Sequence, residues 1–128
     1  MLNARDTYKN NSINTASKEK LLIMLVDGGV KFAKIAKLAF KSNNLKEIHT
    51  NLVKTQDIFY ELMITLDTDK GGVWAENLKS VYSFIIDRLS RCNIEKNEAI
   101  LDEILPVIQD VSDMWHEVYN EVQKSKNS

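Results

Sequence analysis

Near the middle of the chain runs Leu66-Asp67-Thr68-Asp69-Lys70-Gly71-Gly72, with two periodic segments before it and two after. Asp and Thr side chains compete for helix backbone bonds, and Gly tolerates positive φ. A helix should therefore stop here and another begin, which predicts a hinge between two helical hairpins. No period-two alternation is strong enough to suggest a sheet. The chain carries one Pro and four Gly in 128 residues, too few for the many turns of a strand-rich protein.

Each segment shows the three/four spacing of an amphipathic helix. The first runs from about Lys18 to Lys41, with Leu21, Leu22, Leu25, Phe32, Ile35, Ala36, Ala39 and Phe40 on its apolar side. Ser17 is its expected N-cap, and Glu19 suits the positive end of the helix dipole. Gly28-Gly29 interrupts it. Each Gly costs about 1 kcal/mol relative to Ala inside a helix, so another chain segment should approach closely there, the alternative being a tolerated weak turn. Asn43-Asn44 should end this helix and cap the next.

The second segment, about Leu45 to Leu66, carries the stripe Leu45, Ile48, Leu52, Thr55, Phe59, Leu62, Leu66. The third, about Val73 to Cys92, carries Trp74, Leu78, Val81, Ile85, Leu89 or Arg88, and Cys92, with Asn93 as its stop. The fourth, about Glu98 to Gln123, carries Leu101, Ile104, Ile108, Val111, Trp115, Val118 and Val122. Pro106 lies inside it and should kink or divide it. The expected fold is all-α: an antiparallel up-down-up-down four-helix bundle. Residues 1–16 read as an N-terminal arm or short helix, 17–123 as the bundle and 124–128 as a polar, frayed tail.

Charge is unevenly placed although the net value is only -1. Residues 1–46 carry nine Lys/Arg against three Asp/Glu, and residues 97–128 carry seven Asp/Glu against two Lys. In an antiparallel bundle these end segments can lie side by side and pair, although a basic docking face is the alternative. The small net charge gives no case for nucleic acid or an anionic membrane. No apolar run approaches about 20 residues, so no membrane insertion is expected. The first residues lack an apolar core of the secretory type, and the single Cys92 permits no internal disulfide. A cytoplasmic location fits.

Catalytic and metal-binding patterns find little support. A di-iron bundle site needs two Glu-x-x-His motifs, and only Asp113-Met-Trp-His116 has that spacing. His49 and His116 lie on different helices and read as surface or structural residues. Cys92 reads as a buried small hydrophobe, since nothing places a base beside it. Gly71-Gly72 lacks the phosphate-loop pattern, and Asp67 and Asp69 lack the calcium-loop spacing. No cofactor and no enzymatic activity are expected. A ferritin-like metal-binding bundle and a coiled-coil oligomerisation module stay as alternatives.

Several stretches together resemble the flagellar secretion chaperone family FliS. Tyr8 through Ile13, Thr15, Ala16 and Ser17 is similar to its tyrosine arm and Thr-Ala-Ser-Pro helix start, with Lys18 at the Pro. Leu21 to Gly29 resembles its Leu-Ile-x-Met-Leu-Tyr-Asp-Gly-Ala run, with Val26 at the Tyr. Leu66-Asp67 through Gly71-Gly72, with Ala75, Asn77-Leu78 and Tyr82, resembles its Leu-Asp-x-Glu-x-Gly-Gly, Ala-x-Asn-Leu and Leu-Tyr elements in register. Arg88-Leu89, Asn93 and Trp115 match later positions, whereas Pro106 stands outside the pattern.

The resemblance implies a four-helix bundle with an arm. It implies binding of the disordered C-terminal segment of flagellin before type III export, which prevents premature polymerisation. Other flagellar regulators or export components are further family-level partners. Within that frame the expected partner-binding residues are Tyr8 and Ile13 of the arm, with Ile58, Met63, Tyr82, Phe84, Ile86 and Leu89 beside the helix seams.

Overall fold

The computed structural model describes residues 18–127. These form four helices: α1 Lys18–Lys41, α2 Leu45–Thr65, α3 Thr68–Glu95 and α4 Glu98–Asn127. Each helix packs on its neighbours in sequence, and α1 closes the ring against α4. The connections are too short to do anything but reverse the chain. Ion pairs fix the antiparallel sense of the closing pair. Lys37 near the end of α1 meets Glu98 at the start of α4, while Glu19 near the start of α1 meets Lys126 near the end of α4 at 3.9 Å. The charge asymmetry read from the sequence is thus used to pair the two end segments.

The core is a single apolar cluster fed by all four helices. Its fully buried members include Leu25, Leu52, Ile58, Phe59, Leu62, Tyr82, Ile85, Leu89, Leu101 and Ile104. Burying a side chain of this size is worth about 1.5–3 kcal/mol. Gly28 and Gly29 are both buried. A Cβ on Gly29 would sit 3.4 Å from Ile58 Cγ2 and 3.4 Å from Phe59 Cε2. A residue no larger than Ala at this position therefore lets α2 lie close against α1, the close approach expected from the glycine pair.

The chain reversals rest on specific caps. Asn43 takes the left-handed conformation at φ 53°, and the Asn44 side chain accepts from Glu47 N–H at 3.1 Å. At the second reversal the helix stops at Leu66, and Asp67 Oδ1 accepts from Lys70 N–H at 3.0 Å. The turn is thus made by Leu66-Asp67, two residues long, and not by the glycines. Gly72 instead sits inside α3, at φ 57° and ψ -136°, where it kinks the helix between its first turn and Val73. Only Gly adopts that conformation without strain.

Other expectations shift in detail. α3 does not stop at Asn93 but continues to Glu95, where Lys96 enters the left-handed conformation and Asn97 N–H bonds Cys92 O at 3.1 Å. α4 is not divided at Pro106. The ring lies on an exposed part of the helix, and so does Asp102, whose carbonyl loses its partner to the proline. The solvent side is where such a loss costs least. α4 also extends to Asn127, beyond the expected end at Gln123. Leu45 heads the α2 stripe in sequence but is exposed, because it lies in the first turn, past the end of the packed seam. The proposed Ser17 cap lies outside the described residues.

Candidate functional site

Side chains along the groove between α3 and α4 define the site. At about 3.6 residues per turn, helix positions seven apart lie nearly in line. Trp74, Val81 and Arg88 form one such line on α3, and Val107 and Met114 form one on α4. Two contacts bridge α3 and α4 along these lines, through Trp115 and Glu103, which flank Val107 and Met114. Trp74 stacks edge-on against Trp115, with centroids 5.8 Å apart, and Arg88 Nη2 pairs with Glu103 Oε2 at 2.8 Å. Val81, Val107, Met114 and Trp115 are partly buried against the core. Trp74 and Phe84 remain 49% and 44% exposed. The outcome is an apolar strip, open to solvent along α3 and closed at one end by the Arg88–Glu103 pair.

Buried polar chemistry anchors this strip from beneath. The Trp115 indole N–H donates to the Tyr82 hydroxyl at 2.8 Å, and the Tyr82 ring meets Phe59 edge-on with centroids 5.8 Å apart. Trp74, Trp115, Tyr82 and Phe59 thus link the surface of α3 to α2 through the core. Burial pushes the Tyr82 phenol up to about 12, against the smaller opposing effect of the Trp115 bond. The hydroxyl is a neutral structural partner at ordinary pH.

The expected site residues divide by position. Ile58, Tyr82, Ile86 and Leu89 are buried, so in this state they are core and present no surface to a partner. Helical spacing revealed that they were apolar without revealing which way they faced. Met63 is partly buried and lies on α2, away from the strip. Phe84 is exposed and borders the strip three residues from Val81. Tyr8 and Ile13 lie outside the described residues. Trp74, Val81, Val107 and Met114 were the residues not anticipated as a surface. The clue available was their heptad spacing on two consecutive helices.

A second groove, of about 410 Å³, lies between α1 and α4. It is polar, lined by Asp27, Lys31, Lys34, Gln109, Asp113 and His116 among others. His116 Nε2 meets Asp27 Oδ1 at 2.6 Å across its upper part, and Gln109 Nε2 donates to Asp113 Oδ1 at 3.0 Å. These partners hold one another across the groove.

The chain's one thiol is buried. Burial pushes Cys92 up to about 11, with the backbone at Leu101 opposing, and its sulfur donates to Asn97 O at 3.3 Å. A nucleophilic cysteine needs the opposite shift. Among the described residues, no group of three His, Cys, Asp or Glu side chains could hold a metal ion. Among the same residues, no helix is long and apolar enough to cross a membrane.

Comparison with known proteins agrees with the architecture. The family model described as Flagellar protein FliS matches residues 1–122. The chain is 34% identical over 117 residues to the Flagellar secretion chaperone FliS of Campylobacter jejuni, covering 91% of each chain. It is 28% identical over 125 residues to the protein of that name from Bacillus subtilis, covering 98% of this chain and 92% of the relative. The Escherichia coli protein of that name is 26% identical over 107 residues, covering 83% and 79%. Matched along nearly its whole length, the chain belongs to the FliS family of flagellar secretion chaperones.

Proposed function

We propose that the protein binds the disordered C-terminal segment of flagellin in the cytoplasm and keeps it from polymerising before type III export. The observation that carries this reading is the family match over residues 1–122. The α3–α4 strip supplies a physical means. A disordered amphipathic segment that folds on binding bears an ordering cost and needs a large apolar contact to offset it. Trp74 and Phe84 offer rigid aromatic anchors with half their area still open. The role is binding without catalysis. Tyr8 and Ile13 would contribute from the arm, and Met63 from the neighbouring face of α2. Ile58, Tyr82, Ile86 and Leu89 would reach the client only if the bundle opened.

The test is a pair of surface variants, Trp74→Ser and Phe84→Ser, in a flagellin capture assay with thermal unfolding measured in parallel. Lost capture with a transition within a few degrees of wild type supports the strip. Undiminished capture by the doubly substituted protein contradicts it.

A further inference from the structure

The strip between α3 and α4 has an asymmetric border. On the α3 side no carboxylate adjoins it unpaired: Asn77 and Phe84 are exposed and neutral, the Arg88 guanidinium is engaged by Glu103, and Arg91 pairs with Glu95 at 3.3 Å. On the α4 side the border is acidic. Asp110 lies three residues beyond Val107, and Glu117 lies three beyond Met114, so each is a direct neighbour of an apolar strip residue on the helix surface. Glu103, Asp110, Glu117 and Glu121 follow at intervals of seven, seven and four, which places all four on one ridge of α4. All four are exposed. Glu103 is paired with Arg88, and Glu121 approaches Lys124 only at 3.7 Å. Asp110 and Glu117 have no ion-pair partner among the described residues.

This ridge differs from the other charged surfaces of the bundle. Where α4 faces α1, Asp102 and Glu98 are charge-matched by Lys37, and Asp113 accepts a hydrogen bond from the Gln109 amide. The lysines of α1 cannot reach the ridge, because α1 packs on the opposite flank of α4 from α3. Negative charge beside an apolar strip, left uncompensated by the fold, favours an occupant that brings positive charge to that edge.

We infer that the α3–α4 strip takes an amphipathic helix that lays its apolar face on Trp74, Val81, Val107 and Met114. Lysine or arginine along one edge of that helix faces Asp110, Glu117 and Glu121. The inference rests on the export-chaperone reading for why a partner is bound, and it adds the partner's charge and orientation. An occupant placed the other way round would leave its basic edge over Asn77, Phe84 and Arg91, none of which carries negative charge, so the ridge also selects chain direction.

Two synthetic peptides test it. They share one apolar helical face and differ only in carrying Lys or Glu along one edge, and fluorescence anisotropy gives their affinities for the full chain. The Lys peptide is expected to bind about tenfold more tightly at low salt, the scale of a few exposed ion pairs. The ratio should fall toward one at about 1 M salt, where charges are screened within a few ångströms. It should fall likewise in the triple variant Asp110→Asn, Glu117→Gln, Glu121→Gln, whose exposed substitutions leave the core untouched. Equal affinities in the wild type, or a ratio that survives in the triple variant, would overturn the inference. Flagellin capture by the wild type is measured alongside. A normal peptide ratio without flagellin capture sustains the strip and removes the flagellin reading. Flagellin capture without a peptide ratio does the reverse.

Discussion

The Trp115 indole N–H donates to the Tyr82 hydroxyl at 2.8 Å, joining α4 to α3 through a side chain with no exposed surface. The bond satisfies a phenol that the core would otherwise strand. It also fixes the ring on which Trp74 stacks. Trp115→Phe should keep most of the packing yet leave the Tyr82 hydroxyl without its donor, costing about 1–3 kcal/mol. Urea unfolding measures the loss. Adding Tyr82→Phe removes both partners and should recover part of it, so a double-mutant cycle with no coupling would contradict the bond.

The same phenol makes an alkaline prediction. Below the ordinary value of 10.0 it is protonated folded or unfolded and contributes nothing to pH dependence. Above that value the unfolded chain loses the proton first, while the folded phenol holds it to about 12. Stability should therefore fall across that interval, and Tyr82→Phe should flatten the fall. Tyrosinate absorbance at alkaline pH, followed alongside unfolding, reads both.

Gly29 separates close approach from mere tolerance of a weak helix turn. Its Cβ position lies 3.4 Å from both Ile58 and Phe59, so one methyl just fits and a branched side chain does not. Gly29→Ala gains about 1 kcal/mol of helix propensity against a tight contact and should be nearly neutral. Gly29→Val should destabilise by about 1–3 kcal/mol through overpacking. Equal melting temperatures for both variants would show that α2 does not need the space.

Acid stability tests the pairing of the two chain ends. Lys37 binds Asp102 at 2.5 Å and also Glu98. Its hydrogen bonds, first to Asp102 and then to Glu98, hold its ammonium above the ordinary 10.5. The hydrogen bond from Lys37 holds the Glu98 carboxyl below the ordinary 4.5. The carboxylate contribution is therefore present above 4.5 and is lost as pH falls through the lower folded value. The lysine contribution is present below 10.5 and is lost as pH rises through the higher folded value. Lys37→Met should weaken the fold at neutral pH and lose less on acidification than the wild type. Parallel stability curves for the two proteins would refute the linkage.

Much of this architecture was legible because helix periodicity survives without any knowledge of neighbours. The helix start at Leu45 followed from turn chemistry at Asn43-Asn44, and the close approach at Gly29 followed from the cost of a glycine pair inside a helix. The orientation of each stripe did not follow. A three/four spacing fixes that one side is apolar but leaves its angular centre open by a residue or two. Ile58 and Tyr82 could therefore be taken for surface and Leu45 for core. Tyr82 is buried without stranding its hydroxyl because Trp115, thirty-three residues away, supplies a donor, and no local pattern carries that information. The Gly72 kink was hidden for a related reason. Asp67 is itself a sufficient cap, so the third helix begins before the glycines that had been expected to precede it, and Gly72 bends it from within.

The most direct test is calorimetric titration of the protein with flagellin that retains or lacks its C-terminal segment. Intact flagellin should bind with a large negative heat-capacity change, the mark of apolar burial coupled to folding, and the truncated form should show no measurable heat of binding. Equal affinity for both forms would contradict the account.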